Sequence, residues 1–269
     1  MLKMLKLRLL VALPLLVAPL LVAQTRQLPS PRDSQYTIGP SVQPMIIVGE
    51  GWTQQFTFVN VSYYAAQPTV GTLSFYTQDG KPWKISLKNL GTVDHVAINL
   101  SSGQMLTIET VISAQPQQLG WASFDLSSNI NQWGLYHAFT VYRKQMQGQP
   151  DLMTSVGFAD GLEDEWIIPF DNTGGKYPGI ALVNSNPVQT TTFSFQVFDT
   201  TGNAVKTFTK VVQPHCLAWF SLVGENPDLA SLAGQIKVRG GFLSSAVFTL
   251  QFTPNGAFTA LPIVQTYGM

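Results

Sequence analysis

From about residue 45 onward the chain alternates apolar and polar positions with a period of two. Thr191, Phe193, Phe195 and Val197 fall on one face of a segment whose other face carries Thr192, Ser194 and Gln196. That pattern predicts a half-buried strand. Similar runs are Gln54 to Val61, Thr69 to Thr77, Gln104 to Val111, Leu135 to Tyr142 and Ser244 to Phe252. Between them stand QDGKP (Gln78 to Pro82) and DTTGN (Asp199 to Asn203), which read as hairpin turns. Helical periodicity is nearly absent. One short helix is expected over Asn226 to Leu232, with Pro227 in its first turn and Asp228 near its positive end. Many short strands with few helices predict an all-β chain of sandwiches or barrels.

The second half echoes the first. FVNVSYYAAQPTVGTLSFYTQDGKP from Phe58 and ALVNSNPVQTTTFSFQVFDTTGNAV from Ala181 share an order: a Val-Asn pair, a polar loop, a Phe-bearing strand, then a turn rich in Asp and Gly. LGWASFDL (Leu119 to Leu126) matches AGQIKVRG (Ala233 to Gly240), and the stretch from Ala138 matches that from Val247. A repeat of this length predicts two tandem antiparallel β-sandwich modules, residues 45–162 and 163–269, each of the size of an immunoglobulin-like domain.

Ahead of the modules, Lys3, Lys6 and Arg8 precede an apolar run from Leu9 to Ala23, interrupted by Pro14 and Pro19. This is the layout of a secretory signal peptide, residues 1–23, with cleavage before Gln24. No cysteine lies near the cut to take a lipid, and after cleavage no membrane span is expected. Residues 24–44, with four prolines, read as an extended or disordered spacer. The expected location is therefore secreted, either periplasmic or extracellular and at the cell surface.

Charge and cysteine content narrow the classes further. The 15 basic and 15 acidic residues of the full chain balance, but removal of the leader leaves 12 against 15, a formal −3. This argues against nucleic acid as a partner. One cysteine excludes a disulfide framework and a multi-cysteine zinc site.

The strings WIIPFDNTGGKYPGIALVN (Trp166 to Asn184) and FTPNGAFTALPIV (Phe252 to Val264) resemble those of uncharacterised exported tandem β-sandwich (immunoglobulin-like) proteins of soil bacteria. The resemblance covers most of the mature chain. It implies export and a two-sandwich fold, and brings no activity, cofactor or catalytic residue with it.

Candidate chemistry is sparse. Nucleophilic acyl transfer needs a base beside its nucleophile, and there are only three histidines and no G-x-S-x-G. His137 shares a face with Leu135, Phe139 and Val141 and is expected in the core; His95 is expected in a loop or at a strand edge. His215 and Cys216 are adjacent, but neighbours on a strand point to opposite faces, so Cys216 is expected to be a small buried hydrophobe. Asp171-Asn172-Thr173-Gly174 and Asp199-Thr200-Thr201-Gly202 read as turns rather than a protease dyad. Asp160, Glu163, Asp164, Glu165 and Asp171 gather at the module junction and form a candidate calcium site, since hard cations take several oxygen ligands. Tyr63 and Tyr64 in a loop, with Tyr136 and Tyr142 on one strand face, form a candidate ligand surface. No catalytic or cofactor-binding residue is assigned. The expectation is a non-enzymatic binding, adhesive or structural protein whose partner is a surface protein or a glycan, with a carbohydrate-binding module or carbohydrate-active hydrolase as the alternative.

Overall fold

The computed structural model describes residues 41–61, 68–127, 136–146, 148, 150–159, 164–241 and 244–266. The expected leader, and the expected spacer up to residue 40, lie outside them. In the first half the strands are β1 (Ser41–Val48), β2 (Trp52–Asn60), β3 (Thr69–Thr77), β4 (Ile85–Leu87), β5 (Gly91–Val93), β6 (His95–Leu100), β7 (Met105–Glu109), β8 (Gln118–Leu126), β9 (Tyr136–Lys144) and β10 (Leu152–Gly157). The second half holds β11 (Glu165–Asp171), β12 (Tyr177–Asn184), β13 (Thr191–Asp199), β14 (Ala204–Val212), β15 (Cys216–Ser221), β16 (Ala233–Arg239), β17 (Ser245–Phe252), β18 (Phe258–Ala260) and β19 (Val264–Thr266). The chain is all-β, and every strand pairing is antiparallel.

The first strand starts inside the stretch expected to be spacer. Pro44 marks that stretch as extended but does not end pairing, because it sits where the β1–β8 register shifts between Gln43 and Ile46. A residue without an N–H is tolerated at such a break. The helix expected over 226–232 is also displaced. A four-residue helix α1 (Leu222–Glu225) comes first, capped by Ser221, and only a 3-10 turn, Pro227–Leu229, follows.

Four main sheets form: sheet I, β1-β8-β3-β6; sheet II, β10-β9-β2-β7; sheet III, β14-β13-β16-β11-β19; and sheet IV, β15-β12-β17-β18. Sheets I and II draw on the first half of the chain, III and IV on the second. Replacing β1, β8, β3 and β6 by β11, β16, β13 and β14 turns sheet I into sheet III, apart from the added β19. Replacing β10, β9, β2 and β7 by β18, β17, β12 and β15 turns sheet II into sheet IV.

The likeness reaches single residues. Asn60 and Asn184 both have no exposure and both send their side-chain amide to a carbonyl at the end of an edge strand, Leu100 (2.9 Å) and Val212 (3.2 Å) respectively. Gly120 and Gly234 both lie against a neighbouring strand so closely that a Cβ would come within 2.2 Å of the Tyr76 carbonyl oxygen and 1.9 Å of that of Phe198. Only glycine fits either place.

Three apolar cores result. One fills the space between sheets I and II around Phe56, Phe58, Phe75 and Phe124. Another lies between sheets III and IV around Trp166, Phe193, Phe195 and Ile236. The third joins the halves: Val42, Met45, Ile47, Trp52, Trp121 and Tyr142 meet Ala181, Val183, Leu217, Phe248, Leu250 and Phe258. Sheet IV is therefore covered on both faces. Along β12, Ile180 and Leu182 enter the core of the second half, while Ala181 and Val183 enter the shared one. This explains why the strand is nearly continuously apolar rather than alternating.

Ring contacts and hydrogen bonds close the seam. Tyr142 stacks on Phe248 with centroids 5.4 Å apart, and Trp52 lies 4.7 Å from Phe258. At one end the turn after β3 meets the turn before β15. There the Leu217 N–H donates to the Gln78 carbonyl (2.9 Å), and His215 Nδ1 lies 2.9 Å from the Gly80 carbonyl oxygen. The described residues all fall in one compact unit, Thr37–Met269.

Candidate functional site

Of the acidic group at the junction, Asp160 and Glu163 lie outside the described residues. Glu165 opens β11 and Asp171 closes it. Six residues of extended chain put them about 20 Å apart, too far to share one ion. Asp164 takes part through its backbone, its carbonyl accepting from the Gly240 N–H (2.9 Å).

Each of the two strand carboxylates has its own cation. Lys237 Nζ lies 2.8 Å from Glu165, and Arg239 Nε donates to the other carboxylate oxygen. Asp171 accepts from the Thr173 N–H (2.8 Å) and hydroxyl (2.6 Å) and pairs with Lys176. Lys176 first, and then Thr173, pull its pKa down to about 2. The turn reading of Asp171 to Gly174 therefore holds. Asp199 behaves alike, accepting from the N–H groups of Thr201 and Asn203 at 2.9 Å each. Among the described residues no group of three or more His, Cys, Asp or Glu side chains is placed to hold a metal ion. Of the expected calcium ligands, Glu165 and Asp171 are thus kept apart by the strand between them, while Asp160 and Glu163 lie outside the described residues.

The tyrosine surface is corrected as well. Tyr63 and Tyr64 lie outside the described residues. Tyr142 has no exposure; its hydroxyl donates to the Met45 carbonyl (2.6 Å) and accepts from Gln43 Nε2 (2.8 Å). Tyr136 is half-buried, edge-on to Phe124 at 5.1 Å, with its hydroxyl bonded to that of Ser41. On β9 the inner face is Tyr136, Ala138, Thr140 and Tyr142; His137 and Phe139 are exposed. The expectation for His137 is thus reversed. Both faces of β9 carry apolar groups, and what decides between them is the Gln43 and Met45 partners that await the tyrosine hydroxyl inside.

His95 begins the edge strand β6 and lies 2.7 Å from Asp94. His215 is in a turn at φ 59°, edge-on to Tyr76 and Trp121 at 4.4 and 4.8 Å. It serves the seam between the halves rather than Cys216. Burial, and then the charge of Asp79, push the Cys216 thiol up, away from the thiolate that a nucleophile needs.

A different surface carries a recess. The outer face of sheet III holds a groove of about 500 Å³ lined by Ser194, Gln196, Thr207, Thr209, Lys237 and Arg239. Strand register builds it. Ser194 lies opposite both Thr209 and Arg239, and Arg239 opposite Glu165; Gln196 lies opposite both Thr207 and Lys237. Two parallel rows of side chains result, one crossing four strands over about 14 Å and the other crossing three over about 10 Å. Phe195 and Phe208 contribute floor, and their rings stack beneath it at 4.5 Å. The signal for this surface was present in the alternation itself, as the polar face Thr192, Ser194 and Gln196. Its neighbours Lys237 and Arg239 could be added only once β16 was known to lie beside β13.

The chain matches no family model, no curated protein and no solved structure.

Proposed function

We propose that the chain is an exported, non-enzymatic binding protein of the bacterial surface or extracellular space. Its two modules are of immunoglobulin-like type, joined into one rigid body, and it holds its ligand on the outer face of sheet III. The groove of hydroxyl, amide and cationic side chains over β13, β14 and β16 carries this reading. The size of each half, and its two antiparallel sheets with non-consecutive neighbours, support the immunoglobulin-like assignment. The leader-like residues 1–23 and the resemblance to exported tandem sandwiches support secretion.

Binding is favoured over hydrolysis by the state of Glu165, the one carboxylate at the groove among the described residues. Glycoside hydrolysis needs two carboxyl groups flanking the bond. Glu165 is 7% exposed and already held by two cations. A glycan array and a surface-protein pull-down with the purified chain from Gln24 to Met269 test the reading. Retention of a glycan or a surface partner is the expected result, and retention of neither on repeated trials overturns it.

A further inference from the structure

We propose that the sheet III groove binds a strand of carboxylate-bearing polysaccharide, of the polyuronate type; this rests on the binding reading above. Two features define the occupant. First, among the described residues the charge within the groove is unbalanced, since Lys237 and Arg239 stand against the single carboxylate of Glu165. Arg239 spends Nε on Glu165 while its side chain, which lines the groove, remains 64% exposed, so its terminal amino groups are open to a ligand. A guanidinium in that position forks a second carboxylate, one carried by the ligand. This local excess of positive charge lies on a mature chain that is acidic as a whole.

Second, the remaining exposed side chains of the lining are short hydroxyls and an amide, Ser194, Thr207, Thr209 and Gln196, over a floor to which Phe195 and Phe208 contribute. These donate and accept without presenting an apolar anchor. A folded protein partner needs aromatic or aliphatic hot spots that it can bury, and Phe195 and Phe208 here are packed against the core beneath the groove rather than raised from its floor. A chain of hydroxyl-rich rings with periodic carboxylates matches both features. The groove crosses the strands and is open, as an extended polymer requires.

The test is calorimetric titration of the chain from Gln24 to Met269 with polygalacturonate, compared with the same polymer methyl-esterified and with poly-L-glutamate. The variants are Gln196→Glu and Thr209→Glu, singly and together. Both positions are exposed on strands, in the same cross-strand rows as Lys237 and Arg239, so each variant adds negative charge to the groove, and unchanged circular dichroism and melting confirm their fold. Polygalacturonate is expected to bind, to weaken at least tenfold on esterification and again in the double variant, and to weaken as salt rises from about 50 to about 500 mM. Equal binding of the esterified polymer overturns the anionic class while the glycan reading survives. Equal binding of polyglutamate shows a surface that reads charge alone and overturns the glycan. Undiminished binding by the folded double variant moves the site off sheet III. Failure of polygalacturonate while an array glycan binds overturns this inference only; failure of every ligand overturns the proposed function as well.

Discussion

The repeat supplies its own control for the seam between the halves. Gly80 and Gly202 occupy matching turns, each donating its N–H to the carbonyl three residues back (Thr77 and Asp199), and both have positive φ, 77° and 87°. A Cβ on Gly202 meets nothing within 4 Å, whereas one on Gly80 would lie 2.1 Å from the His215 carbonyl oxygen. Gly202→Ala therefore bears only the left-handed conformation, ~1–2 kcal/mol, offset in part by the stiffer unfolded chain. The net loss is about 1 kcal/mol.

Gly80→Ala adds a clash that only moving the turn relieves. A shift of roughly 1 Å restores contact distance and carries both 2.9 Å bonds, Leu217 to Gln78 and His215 to Gly80, beyond reach. At ~1 kcal/mol per bond, with part of the His215 ring contacts to Tyr76 and Trp121 lost as well, the added cost is about 2–3 kcal/mol. Thermal unfolding followed by tryptophan fluorescence reads the difference. Gly202→Ala should lower Tm by a few degrees and Gly80→Ala by roughly 10 °C, at about 2–4 °C per kcal/mol for a unit of this size. Equal midpoints for the two variants, within ~0.5 kcal/mol, would refute the idea that the turn bears on the second half.

Three further outcomes follow from the buried polar groups and the pKa of Asp171. Tyr142→Phe leaves the Gln43 amide buried beside an already unpartnered Gln43 Oε1, so stability measured in urea should fall by ~2 kcal/mol, and adding Gln43→Leu should return much of it, since removing both partners costs less than removing one. Asn184→Ala removes bonds to the carbonyls of Gln189, Val212 and Gln213 and should cost ~2–4 kcal/mol by the same assay. Asp171 has a folded pKa of about 2, below the ordinary carboxylate value of 3.8, so its contribution is present above pH 4 and is lost as pH falls through 2. Asp171→Asn should flatten that part of the stability–pH curve by an amount small enough to suit an exposed pair, and an unchanged slope would show that the ion pair with Lys176 does not form.

Strands were readable wherever one face alone was buried. Thr191 to Asp199 shows the expected alternation of buried and exposed side chains, and Thr69 to Thr77 is a strand to the residue. Legibility failed where burial came from the other half. On β9 the periodicity is correct but its inner face is reversed, because Tyr142 is claimed by Gln43, Met45 and Phe248. The junction acids looked like one cluster in sequence, yet a strand between Glu165 and Asp171 keeps them apart. The groove was half legible: β13 declares its polar face, whereas its cations arrive from β16 by a pairing across some forty residues of chain.

The double coverage of sheet IV bears on how the molecule is made. During synthesis the first half emerges alone, with Val42, Met45, Trp52 and Trp121 lacking the partners that will cover them. At about 5–20 residues per second, several seconds pass before Phe248 and Leu250 arrive. Until then the nascent first half carries an uncovered apolar face, the surface on which chaperones act and aggregates start. Completion of the last strands is thus the step that makes the whole chain safe, and neither half is expected to survive as a separate soluble fragment.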